Sequence, residues 1–454
     1  MDRRKILRRI SLGALFALLI AIIALAPQIN IYLQVLSAHA AKVTCSERFI
    51  AGRETADILA NDIYAREVLS IPAFRLLSVE VDDVQQRVNS QVRLFGAYQD
   101  QAVYREALGC VLVREFPADE LQSRSGSSLQ SDVQIGEWRL GNPVVPNGSY
   151  TQLEGALESA FIDSQTGEYN GARAVVVVHK GKIVGERYAE GFDASTPLPG
   201  WSMSKTVTAA LAGIIIEQTD LTVESDNLFA QWNDERANIQ LKDLLSMSDG
   251  LGFENGTSNP ASDELQQLYN TSNIVDFALE QPIASPPNQT FNYNNGATNL
   301  VIALMRQQFT TREDWLNFPY QSLFIPLGMD SAVFETDAHD NFVGSSLIYA
   351  NARDWARFGQ LLLQDGQWQG EQLLPEGWVT YMTSPNSTTN GGWYSNGFIW
   401  LGETGWNMGV EIPADDYWLN GFDGQYVVVI PSEDLVIVRM GLTQNGGFHV
   451  RPDF

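Results

Sequence analysis

Cysteine, histidine and positive charge are all scarce in this 454-residue chain, and each scarcity narrows what it can be. The two cysteines, Cys45 and Cys110, allow at most one disulfide. The four histidines, His39, His179, His339 and His449, leave few ways to build chemistry on imidazole. Lysine and arginine total 29 against 54 acidic residues, a formal net charge of −25. Non-specific binding to nucleic acid or to an anionic lipid surface needs clustered Lys and Arg, so both are disfavoured. An acidic surface does not identify a substrate, because it also serves plain solubility. Internal repeats are absent as well. What is present is enough apolar material, 44% of residues, to bury a sizeable core, so the composition argues against disorder. The length fits one large domain with a smaller accessory part.

Most of the positive charge near the start is concentrated in one place. Arg3, Arg4, Lys5, Arg8 and Arg9 precede an apolar run from Ile10 to Pro27. Basic residues followed by such a run read as an export signal or an inner-membrane anchor, and the run is near the length that spans a bilayer. The small-residue cleavage pattern Ala38-His39-Ala40 lies well past the run, which favours an uncleaved anchor over a cleaved signal peptide. The rest of the chain is then expected in the periplasm, membrane-held, or else exported outright. In an oxidising compartment Cys45 and Cys110 either pair or stay as buried thiols, and a bridge would staple the region before the catalytic motif.

Residues 41–150 carry no chemical motif. Leu77 to Val81 and, more loosely, Cys110 to Val113 alternate like strands, and Ser123–Ser131 and Gly141–Ser149 read as linker. From about residue 150 the patterns sharpen. Ala174–His179 and the run through Ile183, Val184 and Tyr188 flank Lys180-Gly181-Lys182, a hairpin signature. Tyr426–Ile430 and Leu435–Arg439 flank Pro431–Asp434 in the same way. Between them lie helical patterns at Ser202–Gln218, Ile239–Met247, Gly296–Gln307 and Ala350–Gln364. Strands at both ends of a domain with helices between predict an α+β fold in which one antiparallel sheet is completed by the domain's two termini and flanked by helices, with a helical lobe. The expected division is 1–40 for the membrane or signal segment, 41–150 for the accessory region and linker, and 151–454 for the catalytic domain.

The strongest local signal is Trp201-Ser202-Met203-Ser204-Lys205 at the start of a helix whose apolar positions include Val207, Leu211, Ile214 and Ile215. Residues three apart share a helix face, so Ser202 and Lys205 would present hydroxyl and amine side by side. Ser204 points elsewhere. A serine hydroxyl is a poor nucleophile without a base, and a lysine can act as one when burial or nearby positive charge lowers its pKa. The helix N-terminus would also favour negative charge developing near Ser202. S-x-x-K alone is weak, since an N-capping serine followed by a solvated lysine gives the same spelling. Roughly 90 residues on, Tyr293-Asn294-Asn295 spells Y-x-N before another helix, and the ordered pair is more specific than either part.

From about residue 150 onward the chain resembles the serine β-lactamase-related superfamily, particularly class C-like esterases and 6-aminohexanoate-dimer hydrolases. Asp243-Leu244-Leu245-Ser246-Met247-Ser248-Asp249-Gly250 resembles that family's LLxMxSG segment, and Ala352–Gly359 its ARDxARFG helix. The resemblance implies two-step acyl transfer on an ester or amide. Ser202 attacks the carbonyl, Lys205 and Tyr293 move the proton to the leaving group, and water hydrolyses the acyl-enzyme. Asn295 would orient substrate or lysine. The family's strand motif, K-T-G or H-x-G, is matched to Phe422-Asp423-Gly424, with Gly424 against the substrate and the Gln425 N–H joining that of Ser202 as oxyanion donors, each worth roughly 10²–10³ in rate. Phe422 then replaces a cation or imidazole, which counts against a carboxylate-bearing β-lactam or peptide and favours an esterase or amidase. No metal or cofactor is required.

Three other readings stay open. A Ser-His-Asp hydrolase would draw on His339 or His449, neither in a marked context, and Gly200–Ser204 is one residue short of G-x-S-x-G. A catalytically silent, membrane-tethered relative is suggested by Phe422. A β-lactamase or D-amino-acid peptidase is the third. The aromatics Trp393, Tyr394, Trp400, Trp406, Tyr417 and Trp418 either line an apolar pocket or pack the core. The expected partner is a small ester or amide, with the membrane contacted only through the N-terminal segment.

Overall fold

The computed structural model describes residues 27–65, 76–93, 97–126, 151–162, 167–256, 259–402 and 413–443. The apolar run from Ile10 lies outside these except for Pro27, as do the linker residues 127–150, Trp406 and His449. Among the described residues no helix is long and apolar enough to cross a membrane.

Residues 27–49 form one continuous helix, α1, which runs through the expected boundary at residue 40. Ala38 and Ala40, the small residues of the cleavage pattern, are fully buried in its middle. Four antiparallel strands follow as a meander, β1 (Leu77–Asp82), β2 (Arg87–Arg93), β3 (Ala97–Arg105) and β4 (Gly109–Leu112). Alternation aims Val88, Ser90 and Val92 of β2 inward. Those residues meet α1 in two clusters. Val35, Ala38, Ala41 and Cys45 pack with Val88, Ala102, Cys110 and Leu112. Leu33, Ala40 and Val43 pack with Ile58, Ile63, Leu77 and Val92. Alanines on the helix let it lie close to the sheet, and a Cys45–Cys110 disulfide with Cα atoms 6.0 Å apart ties α1 to β4.

The larger sheet has six antiparallel strands, in the spatial order Trp400–Leu401, Tyr417–Gly421, Gln425–Ile430, Leu435–Gly441, Ala172–His179 and Lys182–Tyr188. The two expected hairpins are therefore neighbours, joined where Leu435 faces His179 and Arg439 faces Val175. The valine run of the Ala172–His179 strand is buried on both faces. Val176 and Val178 enter the main core, while Val175 and Val177 meet Leu157 and Phe161, in and just beyond the Thr151–Ser159 helix. On the main-core face lies the Ala352–Leu363 helix, where a Cβ on Gly359 would come within 2.7 Å of Val427 and Val436. The helical lobe includes Ser204–Gln218, Leu241–Leu245, Asp263–Tyr269, Ile274–Leu279 and Asn295–Arg306.

Each expected helix is present, three of them trimmed by local chemistry and the Gly296–Gln307 pattern shifted to Asn295–Arg306. Asn351 caps the Ala352–Leu363 helix by accepting from the Asp354 N–H at 2.8 Å. The Ile239–Met247 pattern shrinks to Leu241–Leu245, because Gln240 and Asp243 form a capping box at its start and Met247 turns left-handed (φ 57°) at its end.

Buried charge joins the described part of the first 112 residues to the larger sheet and to Glu335. Arg53 pairs with Glu47 (2.7 Å) and Asp62 (2.8 Å), and Asp62 also accepts from Arg173 of the six-stranded sheet (2.8 Å). Lys42 and Ser46 of α1 both reach Glu335, at 2.7 and 2.9 Å, and Glu335 also accepts from the Cys110 N–H at 2.6 Å. Buried charges are tolerated when fully paired in this way, whereas removing one partner is costly.

Candidate active site

Ser202 sits on a tight turn ahead of the helix it was expected to begin. Trp201–Met203 form a short 3₁₀ segment, and the α-helix starts at Ser204. The turn is held by the Gly200 N–H donating to Ile348 O (2.8 Å) and the Met203 N–H donating to Gly200 O (3.1 Å). Trp201 has φ 46°, a left-handed conformation that costs a non-glycine residue roughly 1–2 kcal/mol and persists only where the surroundings impose it. Ser204 is fully buried and accepts from the Ile348 N–H at 3.1 Å, so it stabilises the turn and is turned away from the site.

Lys205, one helical step further, is 1% exposed. Its Nζ lies 3.0 Å from Ser202 Oγ, 2.7 Å from Asn295 Oδ1 and 2.9 Å from Ser345 O. Two of these partners are carbonyl oxygens, which only accept. A neutral amine has two N–H groups and one lone pair, so the carbonyls take both N–H groups and the lone pair is left for the Ser202 hydroxyl. Burial pushes the lysine pKa down to about 7, against the opposing pull of the Glu264 carboxylate. The neutral form is then abundant near neutral pH.

Tyr293 lies with its ring centroid 4.9 Å from Lys205 Nζ and shares a hydrogen bond with Ser202. Burial raises its phenol well above the ordinary value, with the Ser202 contact opposing, so the hydroxyl stays protonated and able to donate. Tyr394 and Trp400 lie against the ring at 6.0 and 5.8 Å between centroids, Phe291 packs behind them on Tyr394 and Trp393 at 4.9 Å, and Trp393 stacks on Trp400 at 5.5 Å. Trp393, Tyr394 and Trp400 thus build the wall behind Tyr293, while Tyr417 and Trp418 are buried strand residues. Asn295 opens the Asn295–Arg306 helix, capped by Asn294 accepting from the Ala297 N–H at 2.6 Å. Asn295 is 1% exposed, its Oδ1 anchors the lysine, and its Nδ2 has no protein partner among the described residues.

The structure moves the strand motif by three residues. Gly424 is at the hairpin turn (φ 85°), its carbonyl accepting from Arg439 Nη1 at 2.6 Å. Gln425 is fully buried. Its side chain clamps the neighbouring strand, donating to Gly441 O (2.6 Å) and accepting from the Gly441 N–H (2.8 Å). The residue whose backbone closes on the nucleophile turn is Gly421, where any Cβ would drive into Gly200 O. The strand segment beside Ser202 is therefore Leu419-Asn420-Gly421, and it carries no cation either. Phe422 follows it, its ring edge-on to Trp201 at 5.9 Å between centroids. The strand end that packs on the serine turn, which residue matching alone misplaced, is fixed by pairing register: Gly421 faces Gln425 across the hairpin.

Several participants carried no sequence signal. The Ser345 carbonyl comes from a loop, and Glu264 lies on a helix distant in sequence. Only the fold brings them to Lys205. The described histidines are engaged elsewhere: His39 with Tyr269 (2.9 Å) and His339 with Glu115 (2.8 Å), while His179 ends a strand. The polar partners of Ser202 are Lys205 and Tyr293, which removes the basis for a histidine triad on the described residues.

The family model described as Beta-lactamase matches residues 163–451, well over half of the chain. Among solved structures, a putative 6-aminohexanoate-dimer hydrolase from Bacillus anthracis superposes with a TM-score of 0.55 at 23% identity, covering 68% of this chain and 83% of that one. A putative beta-lactamase from Bacteroides dorei gives 0.50 at 19% identity over 65% and 91%, and a penicillin-binding protein homolog from Caulobacter crescentus gives 0.50 at 15% over 66% and 93%. At these identities the likeness is one of fold. An uncharacterized protein of Alkalihalophilus pseudofirmus is 30% identical over 99 residues, and this match spans 20% of the chain and 29% of that relative's length.

Proposed function

Because the chain belongs to the Beta-lactamase family, we propose that it is a serine hydrolase that cleaves an ester or amide through an acyl-enzyme on Ser202. Ser202 Oγ attacks the carbonyl carbon as its proton passes to the lone pair of Lys205. Tyr293 donates its proton to the leaving oxygen or nitrogen and is recharged from the lysine, so the C–O or C–N bond breaks without net change in the enzyme's protons. Water then attacks the acyl-enzyme with the same groups acting in reverse. The Ser202 N–H and the backbone at Gly421–Phe422, rather than Gln425, supply the oxyanion donors. The observation that carries this reading is the lysine: buried, lowered to about 7, and held by two carbonyls so that its lone pair faces Ser202.

With Leu419-Asn420-Gly421 as the strand segment beside Ser202, the site offers no positive side chain there for a substrate carboxylate. This supports an esterase or amidase acting on uncharged acyl groups over a β-lactamase or D-amino-acid peptidase. The basic-then-apolar start of the chain and the Cys45–Cys110 bridge support export, with the protein held at the membrane by its N-terminal segment.

The test is covalent. Wild-type protein and Ser202→Ala are treated with a fluorophosphonate and with p-nitrophenyl acyl esters, and intact mass is recorded. Labelling and turnover by the wild type alone establish the nucleophile. A folded wild type that stays unlabelled, or a mutant that labels equally, overturns the assignment in favour of a silent relative.

A further inference from the structure

Two independent sets of contacts run from the accessory region to the platform beneath Ser202. The platform is a small three-stranded sheet in which Ile348–Ala350 lies between Leu198–Pro199 and Val333–Phe334. Leu198–Pro199 leads directly into the nucleophile turn, and Ile348 holds that turn from both sides by accepting from Gly200 and donating to Ser204. The accessory region grips this sheet at two places. Tyr349 donates to Glu47 Oε1 at 3.3 Å, and Glu335, just past the third strand, is held by Lys42, Ser46 and the Cys110 N–H.

The second set is apolar. Trp201, the left-handed residue immediately before Ser202, packs into two cores at once: the main catalytic core, and the accessory cluster of Leu33, Ala40, Val43, Ile58, Ile63, Leu77 and Val92. A tryptophan in that conformation relaxes unless its side chain is held, and one of its two holds is the accessory cluster.

We propose that α1 and the described strands that pack on it are part of the catalytic unit, with Trp201 as a positioning residue through which the accessory cluster sets the orientation of Ser202. The inference rests on Ser202 being the nucleophile and extends it to a region outside the matched family segment, which begins at residue 163. The accessory cluster touches no reacting atom. It acts through the Trp201 backbone, while the Glu47–Tyr349 contact acts on the same turn through the Ile348 strand.

Strand β2 supplies a matched pair of variants. Val88 and Val92 are the same residue type on the same face of the same strand, and both are fully buried. Val92 belongs to the cluster that holds Trp201, whereas Val88 belongs to the other. Val92→Ala and Val88→Ala are prepared in the full chain, and thermal midpoints are recorded beside the second-order rate constant for fluorophosphonate acylation of Ser202. Both variants lower the midpoint. Val92→Ala also slows acylation by about ten-fold, since sub-ångström misplacement of a nucleophile has effects of this order, while Val88→Ala acylates at the wild-type rate. Tyr349→Phe, which removes only the hydroxyl that reaches Glu47, provides a second readout that does not open a cavity, and it too slows acylation. Wild-type acylation rates in Val92→Ala and Tyr349→Phe, or equal slowing in Val88→Ala and Val92→Ala, overturn the positioning role while leaving the hydrolase reading intact. Failure of the wild type to label at Ser202 overturns both.

Discussion

Lys205 is the group whose behaviour the structure quantifies best, and its titration should set the pH dependence of acylation. An ordinary lysine with a pKa of 10.5 is neutral in only about one molecule in 3,000 at pH 7, whereas burial brings this one to about 7 and makes it neutral in about half. The difference corresponds to about 5 kcal/mol of disfavoured charge. The assay is single-turnover acylation by a fluorophosphonate, which has no titrating group between pH 5 and 10. The rate should follow the neutral fraction of Lys205: roughly a tenth of maximal one pH unit below the midpoint, half at the midpoint, and level from about 1.5 units above it. Lys205→Arg, which cannot deprotonate, should lose about 10²–10⁴ in rate and the pH dependence with it. Glu264→Gln removes the negative charge that pulls the lysine upward, so its midpoint should move to lower pH. The same shift has a thermodynamic sign. The folded pKa lies below the unfolded one, so the penalty for a buried ammonium is full below pH 7, shrinks between 7 and 10.5, and vanishes above. The lysine's own contribution to stability therefore rises with pH across that window. A wild-type rate that keeps climbing ten-fold per unit beyond pH 9 would mean an ordinary lysine and refute this reasoning. So would a profile that is flat in both wild type and Lys205→Arg.

Two further expectations concern the scaffold. Gly421→Ala places a methyl against the Gly200 carbonyl and should cut ester turnover at least ten-fold with the fold retained by circular dichroism; unaltered turnover would show that this strand does not close on the nucleophile turn. Replacing Cys45 and Cys110 by serine opens a crosslink between residues 65 apart, which on chain-entropy grounds should cost about 4 kcal/mol in urea unfolding, and an unchanged midpoint would argue that the bridge constrains little.

Much of this protein is legible along the chain. The two hairpins, the four helical patterns and the pairing of the domain's first and last strands follow from periodicity, because strand and helix repeats are local and apolar burial enforces them. Ser202, Lys205 and Tyr293 are readable because S-x-x-K is a one-turn spacing and Y-x-N follows in order. Residue matching picked Gly424, whereas the glycine that approaches Gly200 is set by hairpin register: three residues separate Gly421 from Gly424, and only the cross-strand pairing and that approach tell them apart.

Residue order thus determined the elements and the Ser202–Lys205 spacing, since each depends on neighbours within a few positions. Tertiary structure alone decided the pKa of Lys205, the carbonyls of Asn295 and Ser345 that aim its lone pair, and the docking of α1 beneath Trp201. Burial and three-dimensional hydrogen bonding produce those features, and both depend on groups that meet from 90 or more residues apart.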